Sequence, residues 1–293
     1  DIDKDLLLIP NVAIHMNREV NDGYKWNPAV DTLPLVGSKE AAGKLQALLE
    51  QEAGGKILGH DLYLYNRQKG TFFGADNEFI ASARLDDLQC TFAAMKGFLA
   101  GSKQEFIPVL CVLDNEEVGS ETKQGAASTF LYNTLTRINK VLGYDEEKYM
   151  MALSHSFMIS ADNAHAVHPN HPEFADAANA PVMNGGIVLK FNASQRYTTD
   201  GLSAAIFRKV CAKANVSVQT YCNRADIPGG STLGNISQQH VSIPTVDIGL
   251  AQLAMHSSYE TAGVKDAQYL MDAMAAYYSA ALESPADGEY CII

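Results

Sequence analysis

Residues 106–117 read FIPVLCVLDNEE, a continuous apolar run that ends in Asp114, Asn115, Glu116 and Glu117. An apolar run of this length containing β-branched residues predicts a strand buried on both faces of a sheet. Upstream, residues 86–99 predict an amphipathic helix with Leu88, Phe92, Met95 and Leu99 on one stripe. Downstream, a helix is expected over 126–142, and Phe157, Met158 and Ile159, then Ile187, Val188 and Leu189, read as further buried strands. Thr199 or Asp200 caps a helix carrying Leu202, Ile206 and Val210. Residues 216–221 and 241–248 are strand-like, and a helix over 267–282 closes the chain. Alternating strands and helices predict an α/β sandwich, three layers around a mostly parallel central sheet.

Working back toward residue 1, Ala41, Leu45, Leu48 and Leu49 recur at helical spacing from Ser38 until Gly54 and Gly55 stop the helix. That Gly pair is the expected domain boundary. It gives a small unit over 1–58 and a large one over 59–293, with residues 60–65 as the first strand of the large unit.

Composition narrows the function. The chain has 293 residues, a formal charge of −12 and 47% hydrophobic residues. That is ample for a core, while the acidic balance without basic runs argues against nucleic acid and anionic membranes as partners. No apolar stretch approaches the roughly 18 residues of a membrane span. Five widely spaced cysteines, none in a C-x-x-C pair, point away from a disulfide framework or cysteine zinc site and toward a reducing, cytoplasmic setting. The first residue is Asp1 and no signal peptide is evident, so the chain is expected to be processed or part of a longer polypeptide.

Acids recur where such a sheet binds ligands, at the carboxyl ends of strands. The run 106–113 leads into Glu116 and Glu117, residues 157–160 lead into Asp162, a helix begins at Asp86 and Asp87, and residues 241–248 are followed by His256. Converging carboxylates repel one another unless cations hold them, and Asp, Glu and His are donors that suit zinc. Adjacent glutamates on an extended segment point to opposite faces, so one can bind metal while the other handles a proton. Surface solvation and helix capping are the plain alternative for any one of these acids. In 164–172, Pro169 and Pro172 exclude a continuous helix, so its histidines do not form one ligand face. His165 and His168 remain candidate hydrogen-bond donors to substrate, whereas His171 reads as an exposed loop residue. The loop 228–234 has no P-loop lysine; Gly230 there suits either close backbone approach to a substrate or a tight turn.

Six stretches, 84–88, 114–120, 160–170, 195–197, 230–234 and 253–257, resemble in order those of the aspartyl aminopeptidase and vacuolar aminopeptidase I family of two-metal zinc metallopeptidases. The resemblance implies a zinc-exopeptidase-like fold with a smaller, inserted, β-rich dimerisation domain, of which 1–58 would be the later part. It implies that Asp86 bridges two divalent ions, with Zn2+ foremost and Mn2+ or Co2+ as alternatives. Glu117 and His256 would complete one ion's ligands and Asp162 would bind the other. Glu116 would be the general base, and His165, His168 and Tyr197 candidate oxyanion donors. Lys190 would lie near the specificity pocket and suit an acidic amino-terminal residue. His15 matches a position from which the family reaches into a neighbouring subunit's site, and reads equally as a structural histidine. A further metal-binding histidine is expected in a segment of the catalytic domain outside this chain. Dimers would build a dodecamer acting on peptides. Two other readings stand beside this one: an inactive self-assembling scaffold, and a two-metal amidohydrolase acting on a non-peptide amide.

Overall fold

A computed structural model describes residues 1–102, 106–286 and 288–293. The chain divides into two compact units, Asp1–Arg67 and Gln68–Ile293. The division falls after Arg67, beyond the Gly54-Gly55 pair expected to mark it.

The first unit holds two helices, α1 (Pro28–Asp31) and α2 (Lys44–Ala53). α2 stops where expected, at Gly54 with φ of 71°. It starts later than Ser38, because Gly43 sits at φ 79° and separates it from a 3-10 turn over Lys39–Ala41. Residues 60–65 are not a strand. Their alternating Leu and Tyr are exposed and lie in no strand, although the Tyr65 hydroxyl donates to Asp1. Arg67 also ties this stretch to Asp3 and Asp5. His15 lies exposed in a turn of this unit.

The second unit begins with β1 (Thr71–Phe73), β2 (Phe79–Ser82) and α3 (Leu85–Ala100), then α4 (Phe130–Val141), α5 (Glu146–Ser154), β3 (Met158–Ala161), β4 (Ala164–His165) and β5 (Ile187–Phe191). It continues through α6 (Gly201–Lys213), β6 (Val218–Cys222), α7 (Leu233–Ser237), β7 (Thr245–Gly249), β8 (Ala251–Leu253), β9 (Glu260–Gly263), α8 (Val264–Tyr277) and a hairpin of β10 (Leu282–Ala286) with β11 (Glu289–Ile292). One sheet runs β3-β7-β5-β6. Its outer pairings are parallel and only β5 against β7 is antiparallel, which is the mostly parallel sheet expected. A second sheet, β1-β2-β9-β8-β4, is antiparallel except for β4 with β8.

β5 shows why this is a sandwich. Ile187 and Leu189 enter a core with Phe207 of α6, Leu270 and Ala273 of α8 and Cys90 and Ala93 of α3, while Val188 joins Tyr197 and Tyr221 in a second cluster. Alternate side chains of a strand face opposite ways, so both faces of the sheet are covered. α6 is capped as foreseen, Asp200 accepting from Ser203 N–H in a reciprocal capping box. No helix among the described residues is long and apolar enough to cross a membrane.

Two expectations are corrected. The helix over 86–99 exists, but Leu88, Phe92, Met95 and Leu99 are its exposed stripe. The buried face is small: Cys90, Ala93, Ala94 and Gly97, where a β-carbon on Gly97 would come within 2.3 Å of Met274 Cβ on α8. Close helix approach selects small residues, and hydrophobicity alone does not reveal that. Residues 106–113 are not a strand. Leu110 packs on the core and Val109 C=O accepts the Tyr278 hydroxyl, but Ile107, Val109 and Val112 are exposed and no described segment forms a ladder with them.

Candidate metal centre

Asp86 is placed by irregular backbone at the start of α3. Arg84 is left-handed (φ 60°), Asp86 and Asp87 have non-helical torsions, and the peptide bond between them is cis. Buried groups brace this turn from behind. Asn163, just past β3, donates its side-chain amide to Leu85 C=O at 2.9 Å and to Gln252 Oε1 at 2.8 Å, and accepts the Cys90 thiol.

The other acids arrive from loops. Asp162 leaves β3 with its N–H on Ile248 C=O. Glu116 and Glu117 lie in a turn closed by Gly119 N–H to Glu116 C=O, not on the extended segment expected. Asn115 (φ 58°) and Gly119 (φ 103°) set the turn's path. His256 follows β8 and is itself left-handed, at φ 66°.

These elements bring side chains into two groups that share Asp86. In the first, Asp86, Glu117 and His256 offer ligand atoms all within 4.8 Å of one another, with His256 Nε2 3.2 Å from Asp86 Oδ2 and 3.3 Å from Glu117 Oε1. In the second, Asp86, Asp87 and Asp162 are equally close. One oxygen each of Asp86 and Asp87 is buried with no hydrogen-bond partner. Burial, then the charges of Asp162, Glu117 and Glu260, push the Asp86 carboxyl up to about 8. Burial and Asp162 likewise raise Asp87 well above the carboxylate range, and Glu116 is raised by burial, Asp162 and Glu117. Orphaned buried oxygens on crowded acids are what a divalent cation satisfies, so this donor set fits one. In the sequence Asp87 reads only as an acid at a helix start; its place in the second group follows from the backbone path, which spacing does not show.

The remaining candidates are distributed unevenly. Lys190 is almost fully buried: at 2% exposure its ammonium donates to Asp162 Oδ2, Asp162 C=O and Asn163 C=O and lies 5.1 Å from the Tyr197 ring centroid. Burial opposes its charge, yet Asp162 together with Tyr197 and Asp247 outweighs this and holds the ammonium above its ordinary range. Tyr197 is buried on that lysine and near Tyr221. His165 is lowered by desolvation and by the charges of Lys190 and His256, which marks it as part of the same electrostatic environment. His168 accepts Asn170 N–H and sits 5.2 Å from the His171 ring; no described contact joins it to the acids. A β-carbon at Gly230 would meet nothing within 4 Å, whereas at Gly229 it would strike Asn223 at 2.3 Å, so the tight approach in that loop belongs to Gly229.

The family described as aminopeptidase I zinc metalloprotease (M18) matches residues 1–278. A probable M18 family aminopeptidase 2 of Clostridium novyi is 46% identical over 286 residues, covering 95% of this chain and 66% of that protein. A cryo-EM structure of the Ape4 and Nbr1 complex superposes with a TM-score of 0.84 at 31% identity, covering 94% of this chain and 58% of that one. The S. cerevisiae mApe1 dodecamer superposes at 0.72 with 26% identity, covering 86% and 61%. The chain thus spans just under two thirds of the length of the curated relatives it matches.

Proposed function

The chain belongs to the aminopeptidase I zinc metalloprotease family, M18, and on that premise we propose that it bears the catalytic centre of a two-metal aminopeptidase that removes the amino-terminal residue from peptides. The observation that carries the proposal is the pair of ligand groups joined through Asp86. Asp86 would be shared by both cations, Glu117 and His256 would serve one, and Asp162 with Asp87 the other. Bound divalent cations, most suitably Zn2+, supply the positive charge that acidifies a water and polarises a carbonyl.

The chain's own groups do the rest. Glu116, whose carboxyl is raised by burial and by Asp162 and Glu117, would take a proton from the attacking water and pass it to the departing amine. The surrounding acids attract the free amino terminus of a peptide, which accounts for exopeptidase action. His165 is the oxyanion donor best supported, through its coupling to Lys190 and His256; His168 and Tyr197 have less to recommend them. An acidic preference at the first residue would draw on Lys190, although its ammonium is already engaged by Asp162. The mApe1 dodecamer supports self-association of this protein; by the family resemblance, residues 1–58 would contribute to dimer contacts and His15 would reach a neighbouring site.

Glu116→Gln tests the assignment. It should leave zinc content unchanged while turnover of an unblocked peptide falls by at least about 100-fold, the scale of losing a general base. Loss of zinc in that variant would make Glu116 a ligand, and equal hydrolysis of amino-blocked peptides by the unaltered protein would favour an amidohydrolase.

A further inference from the structure

Glu260 opens β9 opposite Ser82 of β2 and is 2% exposed. Its carboxylate faces two distant parts of the chain. Oε2 accepts the Asp86 N–H at 3.0 Å and Oε1 accepts the His256 N–H at 2.8 Å. Neither amide can be served by ordinary secondary structure there. Asp86 has non-helical torsions inside the first turn of α3, and His256 lies in the left-handed region, clear of the β8 ladder. A partly buried N–H left without an acceptor is costly, and here one carboxylate serves both amides.

The consequence concerns side chains that Glu260 does not touch. Asp86 and His256 meet at 3.2 Å, Oδ2 to Nε2, in the first ligand group. The two backbones from which they project are separated by 170 positions in the chain, and Glu260 links them directly. We propose that Glu260 is a positioning residue, a buried carboxylate that sets the Asp86 and His256 backbones in register so that their side chains present a preformed cation site. This rests on the reading of Asp86 and His256 as ligands. Glu260 itself belongs to neither ligand group; each of its oxygens accepts one of the two amides.

Two variants separate geometry from charge. Glu260→Gln keeps the length but presents one acceptor and one donor, so one of the two amides is opposed by N–H. Glu260→Asp keeps the charge and both acceptors but is one methylene too short to reach both amides. Zinc affinity of the purified protein, measured by competition with a chromogenic chelator, should fall 10- to 100-fold in both variants, the range for losing groups that orient ligands. Far-UV circular dichroism of both should match the unaltered protein. Unchanged affinity in both variants would overturn the proposal. So would unchanged affinity in Glu260→Asp with a loss in Glu260→Gln, because charge alone would then explain the effect. Unfolding of both variants at saturating zinc would also overturn it, making Glu260 a residue of the fold and not of the site. Should only Glu260→Gln unfold, Glu260→Asp decides. Failure of the unaltered protein to bind zinc would instead strike the underlying assignment of Asp86 and His256.

Discussion

Asp86 is held in a state that open water would not allow: buried beside Asp162, Glu117 and Glu260, its carboxyl is pushed up to about 8. For an acid, a raised value means that the fold favours the protonated form. In the metal-free protein that stability is fully present below the unfolded-state value near about 4 and is lost as pH rises toward about 8. A divalent cation reverses the preference, because it takes the carboxylate and expels the proton. At pH 7, zinc binding should therefore release at least one proton, from Asp86 and from Asp87 beside it. Calorimetric titration in buffers of different ionisation enthalpy reads this directly, and a binding heat that does not vary with buffer would contradict it. Acids and a histidine at the ends of predicted elements marked the region, the family resemblance singled out Asp86, Glu117, Asp162 and His256, and the structure brings these four into two groups around Asp86. The sequence could not show Glu260, whose importance lies in the two amides it accepts, nor that Lys190 is buried on Asp162.

At the scale of elements, α3 shows what apolar pattern conveys and what it omits. Its existence was readable from residues 86–99, but its buried face was not, since Cys90, Ala93, Ala94 and Gly97 are inconspicuous beside Leu88, Phe92, Met95 and Leu99. The small face is set by α8, whose backbone N–H of Ala275 would lie 2.9 Å from a β-carbon at Gly97. Gly97→Val should accordingly destabilise the protein by about 1–3 kcal/mol, the usual cost of overpacking, seen as a lower denaturant midpoint. An unchanged midpoint would mean that the helices do not approach this closely. The stretch 106–113 makes the complementary point. An apolar run specifies a preference for extended, buried backbone, but a strand also requires a neighbour to bond with, and sequence pattern in one segment is silent about that neighbour. β3, β5, β6 and β7 were legible because each apolar run has a neighbouring strand to bond with.

For the whole molecule, the α/β sandwich and the family membership agree with what strand and helix alternation and the six ordered motifs led one to expect. The division into units was less legible: Gly54-Gly55 ends a helix, whereas the contacts divide the chain after Arg67. Glycine punctuation marks where an element stops, and a domain ends where contacts cease to cross. The net charge of −12 also takes on a local meaning. Asp86, Asp87, Glu116, Glu117 and Asp162 are concentrated at one place, where their mutual repulsion is tolerable only with protons or cations present. The central claim is that two cations occupy this place and share Asp86. Anomalous scattering at the zinc edge from crystals of the purified protein grown with zinc tests it most directly. The account predicts two peaks, one against Asp86, Glu117 and His256 and the other against Asp86, Asp87 and Asp162; a single peak, or peaks away from Asp86, would contradict it.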